Sequence, residues 1–140
     1  ILYISQYRVY PIEVKSYAAD TITLTTEGIA GCSTTNKSPI HQNEMHCNHL
    51  YSHIAEGING NPQFIVPIVC FCTWENKPVI EDKRPEDERR YILTCNINTL
   101  LDTIKRCDTP LGYRINLEQM DRMWKRVRHS SDTYYPVLWR

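Results

Sequence analysis

Hydrophobic and polar residues alternate in the first part of the chain, which is the pattern of strands with one solvated face. Short stretches of this kind occupy residues 1–5, 9–15 and 21–25, with turn residues between them. The tight turn at residues 6–8 predicts that the first two strands pair antiparallel. Pro11 lacks the amide hydrogen that a strand ladder uses, so the second strand either bulges or is unpaired there.

A helical period replaces this alternation after a loop at residues 27–37. Ser38 and Pro39 are typical of a helix start, because serine caps the first turn and proline fits the first helical position. The helix is predicted to run to about Glu56, and Gly57 can terminate it. Its apolar stripe is Ile40, Cys47, Leu50 and Ile54, and a bordering polar stripe is Gln42, His46, His49 and His53.

The second half of the chain contains a nearly continuous apolar run at residues 64–73, which predicts a central strand buried on both faces. Residues 75–90 are charged and contain Pro78 and Pro85, so we expect an exposed excursion. A further strand is predicted at residues 91–95, followed by a helix that begins near Asn98 or Thr99 and ends at Lys105. This order predicts an α/β fold with a mixed sheet.

A last helix is predicted from Leu117 to about Val127, with Asn116 as its cap. The apolar tail at residues 134–139 is expected to pack against the body of the domain. The apolar face of the helix comprises Leu117, Met120, Met123 (or Trp124) and Val127.

Composition indicates one domain, because the chain has 140 residues. The 16 basic and 16 acidic residues cancel, so total charge does not support a nucleic-acid partner, although residues 112–130 carry a local basic surplus. No apolar run is long enough to span a membrane. The six cysteines form no CxxC pair, which favours reduced thiols and a cytoplasmic setting; no spacing supports a four-ligand zinc site at Cys47.

Glu13 and Lys15 are the residues with candidate chemistry in the second strand. Side chains two positions apart share a strand face, so this acid and base lie about 6–7 Å apart along the backbone. A carboxylate there can hold a divalent cation, and the ammonium can orient a water molecule or stabilise a charged transition state. This chemistry suits metal-dependent phosphodiester cleavage; a simple surface ion pair is the alternative.

Two segments, in this order along the chain, resemble those of a known family. Residues 12–17 (Ile-Glu-Val-Lys-Ser-Tyr) and 36–46 (Asn-Lys-Ser-Pro-Ile-His-Gln-Asn-Glu-Met-His) resemble the nuclease-related domain, or NERD, of the PD-(D/E)xK nuclease superfamily. The resemblance covers about residues 1–106 and implies a restriction-endonuclease-like mixed sheet flanked by helices. We therefore predict a single domain over residues 1–140, with a helical C-terminal extension at 107–140.

The resemblance also implies roles for individual residues. Glu13 and the Val14 carbonyl would bind Mg²⁺ or Mn²⁺, and Lys15 would assist the attacking water. Gln42 would help to place Lys15, and His46 would contact a phosphate. The superfamily has an aspartate at the start of the preceding strand; no acid precedes Glu13, so we expect that N-terminal truncation removed it or that the protein is degenerate.

The leading functional hypothesis is a metal-dependent nuclease that hydrolyses DNA, and the alternative is a non-catalytic DNA-binding or interaction module on the same fold. A homodimer and a subunit of a restriction or repair complex are both compatible with the sequence, and no membrane partner is expected. A basic cluster could grip the DNA backbone, or simply form a solvated helix face. The cluster comprises Arg122, Lys125, Arg126 and Arg128.

The histidine stripe raises a separate possibility. His46, His49 and His53 share one helix edge and could bind a transition metal, but HExxH is absent and a polar helix edge is the simpler interpretation. Cys47 is more simply a core thiol than a nucleophile.

Overall fold

The computed structural model describes residues 1–30, 38–72 and 78–130. Within these residues there are seven strands, four α-helices and a short 3₁₀ turn at Pro62–Phe64. The strands are β1 (Leu2–Ile4), β2 (Val9–Ser16), β3 (Thr21–Thr25), β4 (Gly28–Ile29), β5 (Ile68–Cys72), β6 (Val79–Asp82) and β7 (Leu93–Asn96). The helices are α1 (Pro39–Ile54), α2 (Glu86–Tyr91), α3 (Leu100–Cys107) and α4 (Leu117–Ser130).

The strands form two sheets. The larger has the order β1-β2-β5-β7, in which β1 runs antiparallel to β2 and the other neighbours are parallel. The smaller has the order β4-β3-β6 and is also mixed. These mixed sheets flanked by helices confirm the predicted α/β class.

Pro11 does not interrupt β2. Ile1 and Ile12 exchange two backbone hydrogen bonds, of 2.9 and 2.7 Å, across the β1–β2 pair. The next pair, Leu2 and Pro11, is therefore of the non-hydrogen-bonded kind, which needs no amide hydrogen from Pro11 on that side. The strand is continuous and paired at this position, so neither alternative drawn from the sequence holds.

The two faces of the larger sheet bury different helices. Val9 packs with Leu50 and Ile54 of α1, whereas Tyr10 and Ile12 pack with apolar residues of α3. Because side chains alternate along a strand, Glu13 and Lys15 share the α1 face with Val9. The central strand β5 is buried on both faces, as predicted, with Ile68, Val69, Cys70 and Phe71 fully buried.

The end of α1 differs from the prediction. The helix stops at Ile54, and Gly57 lies in the turns that follow without a positive φ. A Cβ atom on Gly57 would lie 2.7 Å from the Met123 side chain, so the glycine leaves room for that side chain as it is placed here. At the start of α1, Ser38 precedes the first turn as expected, but its hydroxyl makes no capping hydrogen bond.

The charged segment after β5 was predicted to be an exposed excursion, and for residues 78–90 this holds only in part: most of these side chains are exposed, but the segment forms regular structure that packs on the domain. β6 pairs in parallel with β3, α2 follows it, and Arg84 is only 4% exposed. The charge of Arg84 is tolerated because Asp82 and backbone carbonyls satisfy its guanidinium. Residues 73–77 lie outside the described part of the chain.

The last helix begins as predicted. Asn116 Oδ1 accepts from the Gln119 backbone N–H at 2.8 Å, and Gln119 Oε1 accepts from the Asn116 N–H at 2.9 Å, which is a capping box. Met123 and Val127 are buried, but Leu117 is 82% exposed and was wrongly assigned to the inner face. Instead of Leu117, the buried residue at this end of the helix is Ile115, which precedes the Asn116 cap and packs in the same core as Met120.

The helical extension joins the main core, since α4 packs against α1 around Leu50 and Ile54. The division near residue 106 stays a prediction, and the tail at residues 134–139 lies outside the described residues. Within the part of the chain that the structure describes, every helix is too short or too polar to cross a membrane.

Candidate active site

β2 presents Glu13 and Lys15 on the face that α1 covers. The Lys15 Nζ atom lies 3.3 Å from Glu13 Oε1. Val14 lies between them and is in register with Cys70 of β5; its side chain, 39% exposed, points to the opposite face. The acid and the base that the sequence singled out are therefore in direct contact.

His46 of α1 completes this cluster. Its Nδ1 atom lies 3.0 Å from Glu13 Oε2, so the two oxygens of one carboxylate meet side chains from two different elements. The exposed fractions are 19% for Glu13, 25% for His46 and 30% for Lys15. A half-buried group of this kind is shielded from bulk water yet open to a ligand.

Asn43 sets the position of α1 over the sheet. It is 1% exposed, and its Nδ2 atom donates to the Pro11 carbonyl at 3.3 Å and to the Ile68 carbonyl at 3.2 Å. Its Oδ1 atom accepts from the Cys47 thiol at 3.3 Å. These bonds join α1 to both β2 and β5, less than one helical turn from His46. The sequence analysis missed Asn43, although it fills the gap in the apolar stripe between Ile40 and Cys47.

Gln42 lies one turn before His46 on the same edge of α1 and is half-buried. Within the described residues its side chain makes no hydrogen bond to Glu13 or Lys15. The structure thus brings Glu13, Lys15 and His46 together and leaves Gln42 beside them.

The basic residues of α4 form a different surface. Three of them lie in exposed ion pairs: Arg122 with Glu118, Lys125 with Asp121, and Arg126 with Glu56. Arg128 is exposed on the same helix. The acids that pair with Arg122, Lys125 and Arg126 are not Glu13, so these three cations are not part of the Glu13 cluster.

The Cys47 thiol is not set up as a nucleophile. Burial, together with the charges of Glu44 and Glu13, raises the pKa of Cys47 to about 12. The thiol therefore stays protonated at neutral pH and serves as a small core side chain that donates to Asn43.

Few donors at this site suit a metal ion. In the described residues no three His, Cys, Asp or Glu side chains converge as a metal site, so His46, His49 and His53 do not form the transition-metal cluster considered above. Instead, the rings of His49 and His53 contact each other at 4.7 Å. The Glu13 carboxylate and the Val14 carbonyl are oxygen donors, which fit Mg²⁺ or Mn²⁺ in kind and supply part of an octahedral set.

The fold and the Glu-x-Lys strand place the protein in a class of mixed α/β domains that resemble PD-(D/E)xK nucleases. The family model of the nuclease-related domain (NERD) matches residues 1–72, just over half of the chain, so the chain belongs to this family. Neither the curated proteins nor the solved structures include a significant match.

Proposed function

We propose that this protein hydrolyses phosphodiester bonds in DNA with the help of Mg²⁺ or Mn²⁺. Membership of a nuclease-related family supports the class of reaction. The observation that carries the proposal is the half-buried contact of Glu13 with Lys15 and His46, because it gathers an acid, an ammonium and an imidazole at one open corner of the sheet.

In this proposal the Glu13 carboxylate and the Val14 carbonyl hold the cation. A divalent cation bound there supplies Lewis-acid stabilisation of the phosphate and lowers the pKa of water. Lys15 donates hydrogen bonds to the phosphate oxygens as their negative charge grows in the transition state. His46 contacts a neighbouring phosphate, and Gln42 helps to orient Lys15.

Cleavage of supercoiled plasmid DNA in Mn²⁺ tests the assignment of Glu13. Glu13→Gln keeps the shape but removes the charge, and we expect it to lower the cleavage rate by about 100-fold or more. The matched control is Glu44→Gln, which removes an exposed carboxylate of α1 that lies 3.8 Å from His41. Equal loss in both variants, or none in Glu13→Gln, would contradict the proposal.

A non-catalytic DNA-binding module is the second candidate. It is favoured by one observation: both oxygens of Glu13 already have partners, and no further acid converges on them within the described residues. DNA binding in EDTA distinguishes the two candidates. Firm binding without any Mn²⁺-dependent cutting would support the module, with Arg122, Lys125, Arg126 and Arg128 as its proposed phosphate contacts.

A reducing, cytoplasmic setting is part of the same proposal. The five cysteines that the structure describes are free thiols, and three of them, Cys47, Cys70 and Cys95, are buried. Reduced core thiols of this kind are typical of proteins from reducing compartments.

A further inference from the structure

A cleft lies at the end of the larger sheet where β5 and β7 begin, away from the Glu13 cluster. Its volume is about 610 Å³, within the usual range for small-ligand sites. Arg8, which lines the cleft, precedes Glu13 by five strand positions, or about 16 Å. The cleft is therefore separate from the Glu13 cluster. Its chemically informative lining residues are Arg8, Arg90, Arg106, Tyr91, Pro67 and Leu93.

Arg8 is held rigidly at the edge of this cleft. Its Nε and one Nη atom donate to the carbonyl and hydroxyl of Thr109, at 3.1 and 3.3 Å, and its other Nη atom donates to the Gln63 carbonyl at 3.0 Å. A guanidinium has five N–H groups, so two remain available. No carboxylate among the described residues forms an ion pair with Arg8.

Arg106 and Arg90 add two further guanidinium groups. Arg106 is exposed in the last turn of α3 and has no ion pair within the described residues. Arg90 pairs with Glu86 at 2.5 Å, but both side chains are highly exposed, so the pair is weak and exchangeable. Three guanidinium groups against the one carboxylate of Glu86 leave a surplus of two positive charges in the lining, which suits an anion.

The nearby acid Asp108 lowers this surplus from two charges to one but does not remove it. It is not part of the cleft lining, and its Oδ1 atom accepts from the hydroxyls of Ser5 and Tyr10, at 2.5 and 2.7 Å. Phosphate is the anion that planar guanidinium groups recognise with several oxygens at once.

The cleft also has an apolar part, which suits a ligand that carries an apolar group as well as an anionic one. Tyr91 is 54% exposed, and Pro67 and Leu93 provide apolar surface beside it. An exposed aromatic ring next to cations suits a ligand that has a flat ring and a phosphate, because a base can stack on tyrosine while its phosphate reaches arginine.

We propose that this cleft binds the terminal phosphate of a nucleotide, with the base against Tyr91 and the phosphate between Arg8 and Arg106. A free mononucleotide and the 5′-phosphorylated end of a nucleic-acid strand present the same chemistry. The site does not depend on the proposed cleavage at Glu13, since it uses other residues at the opposite end of the sheet.

Isothermal titration calorimetry of the protein with five probes tests this site. They are adenosine 5′-monophosphate, adenosine, inorganic phosphate, and an oligonucleotide with and without a 5′-phosphate. We expect one mononucleotide or one 5′-phosphorylated strand to bind, and adenosine and the unphosphorylated strand to bind much more weakly. Tighter binding of the mononucleotide or of the 5′-phosphorylated strand then shows which of these two ligands the cleft prefers. Binding of inorganic phosphate as tightly as the nucleotide, or no binding of either phosphorylated probe, would overturn the proposal.

Two variants and a matched control locate the binding. Arg106→Gln removes an exposed, unpaired guanidinium and should weaken binding by about tenfold. Lys105→Gln removes the same charge from the same turn of α3 but lies outside the cleft lining, so we expect less than about a twofold change. Tyr91→Leu should weaken the nucleotide but not inorganic phosphate. Equal effects of Arg106→Gln and Lys105→Gln would show only general charge attraction and would refute the site.

Discussion

Two carboxylates, Asp82 and Glu13, are each held by basic side chains, but their surroundings differ. Asp82 accepts from Arg84 at 2.7 and 2.9 Å and from the Thr94 hydroxyl at 2.9 Å. The Arg84 side chain is 2% exposed, and it also donates to the Ile92 carbonyl at 2.8 Å. This cluster is closed, because its buried donors and acceptors already satisfy one another.

Glu13 belongs to an open cluster. Its partners Lys15 and His46 keep 30% and 25% of their side-chain surface exposed. The contacts cross from β2 to α1, but water or a ligand can still reach them. A closed cluster stabilises the fold, whereas an open one retains charge that a substrate can use. The comparison therefore favours a structural role for Asp82 and supports the chemical role proposed for Glu13.

Removing each carboxylate gives the largest expected difference. Asp82→Ala leaves the buried Arg84 charge without its partner, so we expect it to lower the free energy of unfolding by about 3–5 kcal/mol. Glu13→Gln should cost about 1 kcal/mol or less, because its partners can turn to water. Urea unfolding of both variants measures these values, and equal costs would contradict the distinction.

Asn43 connects the open cluster to the core, and its loss should have the next largest effect. Asn43→Ala leaves the Pro11 and Ile68 carbonyls without a buried donor, so we expect a loss of about 2–3 kcal/mol in unfolding free energy. Asn48→Ala, at an exposed position of the same helix, should change it by less than about 0.5 kcal/mol. If the two variants unfold alike, Asn43 does not anchor α1.

Acid should weaken the closed cluster in a defined direction. Burial raises the pKa of Asp82, but hydrogen bonds from Arg84 and Thr94 and the charge of Arg84 lower it by more, so the pKa is below the usual value. The resulting stabilisation is complete well above the unfolded pKa of about 3.9 and is lost as the pH falls through the folded value. As the pH is lowered from neutral, the unfolding free energy of the wild type should approach that of Asp82→Ala. A difference between the two free energies that stays constant with pH would refute this.

The ion pairs of α4 should show the smallest effects. Arg122 and Lys125 pair with acids four residues earlier on the same exposed helix face. Each such pair contributes about 0.3–0.5 kcal/mol. Arg122→Gln should therefore change the unfolding free energy by no more than about 0.5 kcal/mol, as measured in urea; a loss above 1 kcal/mol would mean that this pair resembles the closed cluster.

Local pattern was enough to predict part of the candidate site. The alternation of side chains in β2 placed Glu13 and Lys15 on one face, and the helical period placed Gln42 and His46 on one edge of α1. The contact between His46 and Glu13 depends on how α1 sits on the sheet. That position is set by Asn43, whose partners Pro11 and Ile68 are distant in sequence.

The segment around β6 shows why other parts of the fold were missed. Its charges suggested a solvated loop, because the sequence does not reveal that Arg84 is satisfied by Asp82 and by the Ile92 carbonyl. The parallel pairing of β6 with β3 joins Thr21 to Val79, a contact between remote segments that no local period predicts. Gly57 was likewise assigned to helix termination, whereas its neighbour Met123 belongs to a distant helix.

The most direct test of the central claim is DNA cleavage in Mn²⁺ by the wild type, by Lys15→Ala and by Lys105→Ala. Lys105 is an exposed lysine of α3, on the opposite side of the sheet from Glu13, and controls for loss of one positive charge. We predict that the wild type and Lys105→Ala cut DNA equally and that Lys15→Ala loses about 100-fold or more in rate. Equal cutting by all three proteins, or none by the folded wild type, would contradict an active site at Glu13 and Lys15.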